Sequence, residues 1–266
     1  MLWVLRGLRD GILTTRWPRG SDDYFDGFDA AVTVRRPAHD HKPLPRAVTD
    51  AAASCPTSAI STQPRLQLDR GRCIVCGRCV ARAPDWFAWA PGCGTAALTR
   101  TTLIVGQLDE TDEALAAVRA ALARRVSRLR RSVHIRHVDA GSDGSDEWEI
   151  YALTNPVYDV HRLGIFFTAS PRHADILLAT GVGTAGMTEP LRRTLDAMPA
   201  PKVVIAVGAD AISGGLTGGG STGNDGISQL VDVDVWVPGA PASPFSLLHA
   251  ILLALGRLPH NSTQSP

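Results

Sequence analysis

Cys73-Ile74-Val75-Cys76-Gly77-Arg78-Cys79 sets three thiols at an even spacing, close enough for one short loop to present them all. Such a loop can offer three thiolates and several backbone N–H groups to a cubane [4Fe–4S] cluster. The pattern takes its fourth thiolate from a distant Cys-Pro, and Cys55-Pro56 in Cys55-Pro56-Thr57-Ser58-Ala59-Ile60 supplies one. Zinc sites more often use separated cysteine pairs than an evenly spaced triplet. Cys55, Cys73, Cys76 and Cys79 are therefore expected to bind one [4Fe–4S] cluster, with structural or zinc-binding cysteines as the alternative. Cys93 fits neither set and reads as a free thiol.

The bulk composition agrees with metal-binding thiols rather than a disulfide scaffold. Disulfide-rich chains are short and secreted, whereas this one has 5 cysteines in 266 residues, three of them crowded into 73–79. With 44% hydrophobic and 20% charged residues and a formal net charge of +1, no general affinity for nucleic acid or anionic lipid is expected. The longest apolar runs are too short to span a bilayer, so no direct membrane span is expected. The apolar start is broken by Arg6, Arg9 and Asp10 and makes a poor secretion signal. A cytoplasmic protein is the expectation.

The elements that must position these thiols fall into blocks. Residues 1–45 show little periodicity and read as an extended docking arm. Residues 46–100 hold the cysteines among short segments and turns. A helix is predicted over 111–131, from Leu115, Val118, Leu122, Val126 and Leu129 at helical spacing, inside a linker of 101–132. Its arginine-loaded end suits the helix dipole. From 133 to 257 short apolar strands alternate with helices: strands at 133–138, 165–168, 174–180, 203–207 and 231–237, helices at 147–162, 188–197 and 244–255. Alternation of this kind predicts an α/β domain with a parallel sheet, and ligands sit at the strand ends of such sheets. Residues 258–266 read as a disordered tail.

The cysteine phrases, with Leu68-Asp69-Arg70-Gly71-Arg72 leading into the triplet, resemble bacterial ferredoxins. Two-cluster ferredoxins repeat the triplet, and the positions of the missing one fall at Pro45, Val48 and Ala51, with Ala83 as its fourth; none is a ligand. One cluster site is complete and the other lost. Together with Gly11-Ile12-Leu13-Thr14-Thr15-Arg16-Trp17-Pro18, residues 1–100 resemble the ferredoxin-like subunit of formate hydrogenlyase and complex I.

Residues 130–257 resemble a second subunit, the small subunit of group 4 energy-converting [NiFe] hydrogenases, called the 20 kDa or B subunit in complex I. The phrases that carry it are Arg136-His137-Val138-Asp139-Ala140-Gly141-Ser142, Ala152-Leu153-Thr154-Asn155-Pro156, Ala169-Ser170-Pro171-Arg172-His173-Ala174-Asp175 and Val237-Pro238-Gly239. The resemblance implies a ferredoxin-like α+β segment fused to a flavodoxin-like α/β domain, docked on a large catalytic subunit and, through it, on membrane subunits. The location implied is peripheral, on the cytoplasmic face of the inner or plasma membrane.

The family's cluster cysteines fall at Asp143, Asp146, Asp210 and Ala240. Carboxylates are hard ligands and iron–sulfur clusters select soft thiolates, so these vestigial positions are not expected to bind a cluster. The carboxylates are hydrated or paired with Arg172 or His173, or they gather a hard cation such as Mg²⁺ or Ca²⁺, or a cluster binds by another route. Gly181-Val182-Gly183-Thr184-Ala185-Gly186 matches the dinucleotide-binding G-x-G-x-x-G after a strand and before a helix, but the family has the same turn without nucleotide. The expected function is a non-catalytic, electron-transfer iron–sulfur subunit of a membrane-associated oxidoreductase complex. The alternatives are a structural or regulatory subunit without electron transfer, and a nucleotide-binding reductase.

Overall fold

The computed structural model describes residues 2–35, 43–106, 112–129, 132–218, 220–221 and 223–258. The tail expected at 258–266 lies outside the described residues apart from Leu258. In chain order the elements are α1 (Leu2–Asp10), α2 (Asp23–Gly27), β1 (Ala31–Val34), α3 (Arg46–Ala53), β2 (Ile60–Ser61), β3 (Gln67–Asp69), α4 (Arg78–Arg82), β4 (Phe87–Ala90), β5 (Ile104–Val105) and α5 (Asp112–Arg125). There follow β6 (Val133–Asp139), α6 (Ser145–Ala152), β7 (Ile165–Phe167), β8 (Ile176–Thr180), α7 (Thr188–Ala197), β9 (Val203–Val207), α8 (Gly208–Ser213), β10 (Val235–Val237) and α9 (Pro244–Ala254).

A five-stranded, wholly parallel sheet in the order β10-β9-β8-β6-β7 organises the second half. Every residue of β8 and β9 is buried, because helices cover both faces of a parallel sheet. Side chains alternate between the faces. Ile176, Leu178, Val203 and Ile205 pack with α6, α9 and the end of α5, while Leu177, Ala179, Val204 and Ala206 pack with α7 and α8. α9 is buried along nearly its whole length and is capped by Ser243, whose side chain accepts from the Ser246 N–H.

The cysteines lie in a smaller unit of two antiparallel sheets, β1-β4 and β2-β3-β5, around Val32, Val48, Leu66, Leu68 and Phe87. Where an extended arm was expected at 1–45, the chain instead forms two helices and β1, and β1 pairs with β4 from Ala31↔Ala90 to Val34↔Phe87. Between them Trp17 stacks on Phe25 at 4.5 Å, and both rings meet Phe245 of α9. The segment therefore belongs to both cores.

Several predicted elements are shorter than read; the helix expected over 111–131 ends at Arg125, with turn conformation over 126–128. The helix expected over 147–162 stops at Ala152, because the Asn155 side chain accepts from the Val157 and Tyr158 N–H groups and Pro156 cannot continue it; a separate 3₁₀ turn follows at Val160–Leu163. The strand expected from 231 forms only at Val235–Val237.

Candidate functional site

Cys55 follows α3, and its Sγ accepts from the Ala59 N–H at 3.3 Å. Cys73 follows β3 across a turn that Asp69 holds: its carboxylate accepts the Gly71 N–H at 2.9 Å and a two-point bond from Arg100 at 2.8 and 2.6 Å. The loop then curls on itself. Val75 sits at φ +53° and donates its N–H to Cys73 Sγ at 3.4 Å; Gly77 sits at φ +70° and opens α4, which carries Cys79. A β-branched residue at positive φ is strained, and a Cβ on Gly77 would lie 2.8 Å from the Trp89 ring.

This path brings Cys55, Cys73, Cys76 and Cys79 to the wall of one narrow cavity of about 20 Å³. Cys79 is buried, Cys55 and Cys73 are part-buried and Cys76 is exposed. Burial pushes the Cys73 thiol up to about 12 and the Cys79 thiol in the same direction, and the neighbouring thiolates add to both. Such thiols are inert when free and ionise only against a bound cation. Among the described residues no three His, Cys, Asp or Glu side chains converge tightly enough to grip a single metal ion. The four cysteines instead line one narrow cavity, reached from two separate segments of the chain. Cys93 is elsewhere, buried against Ser243 and outside that cavity.

Val48, Ala51 and Ala83, at the positions of the absent first triplet, lie in the apolar core of this unit beside Phe87.

A second set of groups meets at the C-terminal edge of the parallel sheet. Asp143, in the loop after β6, accepts from the Ser145 N–H and hydroxyl at 2.9 and 2.6 Å, which hold its carboxyl low. Asp146, in the first turn of α6, is 4% exposed and accepts from the Ala242 N–H at 2.9 Å. Burial, assisted by the charges of Glu147, Asp210 and Asp143, raises its pKa to about 7. Asp210 of α8 is raised by burial and then by Asp143 and Glu147. Room for Asp146 comes from Gly208, at φ +84°, where a Cβ would stand 1.9 Å from Asp146 Oδ2. Ala240, two residues before Ala242, borders an adjoining open cleft. The three aspartates and the 240–242 loop are thus brought together.

Arg172 and His173 do not compensate these carboxylates as expected. They occupy a turn (Pro171–His173) that leads into β8, at the opposite edge of the sheet. Beside the aspartates lies a network the sequence did not single out. Thr180, fully buried at the end of β8, donates to Glu147 Oε1 and lies 3.0 Å from His137 Nε2, and Ser142 donates to Glu147 Oε2 at 2.8 Å. Its members are separated in sequence and join only through the β6–β8 register.

The glycines of 181–186 are consumed by loop packing. A Cβ on Gly181 would fall 2.5 Å from the Gly141 backbone, and Thr184 donates its N–H to the Ala140 carbonyl. The chain's own 140–142 loop therefore stands where a pyrophosphate would approach.

Comparison with known proteins places this second site in context. Residues 144–254 match the family model for the NADH ubiquinone oxidoreductase, 20 Kd subunit. The probable membrane-bound hydrogenase subunit mbhJ of Pyrococcus furiosus is 38% identical over 144 residues, 53% of this chain and 86% of that protein. The chain belongs to the 20 Kd subunit family. Formate hydrogenlyase subunit 7 of Escherichia coli is 39% identical over 147 residues, 55% of this chain and 56% of that protein, so the chain spans little more than half of that relative. A chain of the membrane-bound sulfane sulfur reductase, an archaeal respiratory membrane complex, is 26% identical with a TM-score of 0.45, over 50% of this chain and 73% of that one. The family match begins at residue 144, so the cysteine cavity lies outside it while Asp146, Asp210 and Ala240 lie within it. No helix among the described residues is long and apolar enough to cross a membrane.

Proposed function

We propose that this chain is an iron–sulfur subunit of a membrane-associated oxidoreductase complex. It holds one [4Fe–4S] cluster on a ferredoxin-like unit, residues 46–100, fused to the 20 kDa-type domain of residues 133–257. The observation that carries the reading is the wall of four cysteines, drawn from two separate loops around one cavity. The donor set fits: four soft thiolates, with backbone N–H groups already aimed at Cys55 and Cys73. When bound, such a cluster supplies one-electron redox chemistry. The chain's own part is to hold the four thiolates, donate N–H groups to sulfur and keep three of the four partly or fully out of water.

In the second domain we read Asp143, Asp146, Asp210 and Ala240 as replacements of the family's cluster cysteines, leaving a domain that binds without a cluster of its own. Its partner is a large catalytic subunit. Leu13, Tyr24, Phe28 and Val157, between 42% and 80% exposed, line one open cleft of about 790 Å³ beside Ala240, and apolar surface of this kind marks a protein contact. The carboxylates at the second site also favour a structural or regulatory subunit without electron transfer; redox titration of the cluster with and without the large subunit separates the two.

The test is stoichiometric. Anaerobic reconstitution gives about four irons and four sulfides per chain, with visible absorbance that Cys73→Ser or Cys76→Ser removes and Cys93→Ser leaves intact. A chain that takes up zinc but no sulfide, or a Cys73→Ser variant that keeps its iron, refutes the reading.

A further inference from the structure

Arg70 is a part-buried cation with no carboxylate partner among the described residues. It follows β3 and stands three residues before Cys73, whose backbone N–H donates to the Arg70 carbonyl at 3.3 Å. Its side chain is part-buried and donates from Nε to the Val32 carbonyl at 3.2 Å. The obvious carboxylate is the adjacent Asp69, but that group is already taken. Arg100 grips both of its oxygens, and Arg72 lies 3.8 Å from one of them. Among the described residues Arg70 forms no ion pair with any carboxylate.

A guanidinium partly withdrawn from water and left without an anion is unfavourable, because burial weakens its hydration. It cannot escape by losing its proton. What it stands beside is the cysteine cavity: Val32, whose carbonyl receives its Nε–H, lines that cavity together with Cys73.

We propose that Arg70 is the fixed counter-charge of the cysteine-bound cluster and raises its reduction potential. The inference rests on the cluster reading above. Four thiolates around a cubane leave the assembly negatively charged, and reduction adds a further negative charge. A nearby cation therefore stabilises the reduced form more than the oxidised one, and does so most where water does not screen it. Two other arginines allow proximity to be separated from burial. Arg72 is adjacent to Cys73 but its side chain is 44% exposed, and Arg78 borders the cavity but is also exposed. Arg70 thus acts through Cys73, as a positioning residue for charge.

The experiment is a potentiometric titration of the reconstituted full chain, followed by EPR, for the unmodified protein and for Arg70→Gln, Arg70→Lys, Arg72→Gln and Arg78→Gln. Iron and sulfide are assayed first in each. Arg70→Gln shifts the midpoint to more negative potential, by more than either Arg72→Gln or Arg78→Gln, while Arg70→Lys restores most of the shift. An unchanged midpoint in Arg70→Gln, or an equal shift from the exposed arginines, overturns the inference while leaving the cluster reading intact. If Arg70→Gln fails to assemble a cluster, Arg70→Lys decides: a midpoint near the unmodified one supports the charge, and failure of both to assemble overturns it in favour of a purely structural arginine. Absence of a cluster from the unmodified chain defeats the underlying reading instead.

Discussion

A chain carrying Asp143→Cys, Asp146→Cys, Asp210→Cys and Ala240→Cys together binds about eight irons after anaerobic reconstitution, against about four for the unmodified chain. The expectation comes from the convergence of these positions. Asp146, Asp210 and Asp143 lie near enough to raise or hold one another's pKa values, and the Ala242 N–H reaches Asp146 from the loop that carries Ala240. Gly208, held at φ +84°, leaves space at Asp146 Oδ2 that any larger residue would fill. What the site lacks is softness. Carboxylates disfavour iron–sulfur chemistry where thiolates favour it, so four thiolates at these positions create a cluster site if the backbone leaves room for one. Variants with only one or two of the four substitutions stay near four irons. A folded quadruple variant that also stays at four sinks the idea that only the ligands differ, and shows that the loops have moved as well.

Asp146→Asn removes a loss of stability that sets in above pH 3.8 and is complete above pH 7, and so stabilises the chain at neutral and higher pH. The carboxyl titrates near 3.8 when unfolded but at about 7 when folded. The folded chain holds this proton more tightly, so the group's favourable contribution is complete below pH 3.8 and disappears as pH rises through 7. Above that range an ionised Asp146 costs the fold up to roughly 4 kcal/mol, reduced to the extent that Glu147 and Asp210 take up protons with it. Asparagine keeps an oxygen for the Ala242 N–H and carries no charge. Urea midpoints at pH 3.5 and pH 8 measure the effect: the two proteins unfold at similar concentrations at the lower pH, below the unfolded carboxyl's 3.8, and the variant resists more at the higher. Parallel curves for the two would show that Asp146 is already relieved by another route.

The parallel sheet was legible because the sequence writes it plainly. A strand covered on both faces must be an unbroken apolar run, and Ile176–Thr180 and Val203–Val207 are such runs. The cysteine cavity was legible because one loop and one Cys-Pro suffice to assemble it. The N-terminal segment was not. Its contribution to the cores rests on a few residues, Trp17, Phe25 and the short β1, which meet partners some sixty to more than two hundred positions away and leave no local periodicity. The misplaced compensation by Arg172 and His173 has a related cause. Sequence resemblance lists loops in order, but only topology tells which loops precede a strand and which follow it. The family-type site is built entirely from the latter.

The sharing of residues 1–35 between the two cores bears on how such a chain can be divided. A gene cut between the cysteine unit and the α/β domain would not yield two independent modules, whichever linker is chosen. Removing the first 45 residues strips β1 from β4, leaving an unpaired strand edge beside the cysteines, and uncovers the Phe245 ring that Trp17 and Phe25 shield. Open edges and bare aromatic rings promote self-association. The two halves meet again where Ala97 pairs with Trp236 and Thr95 bonds Ser246, so a single cooperative unfolding transition is expected of them.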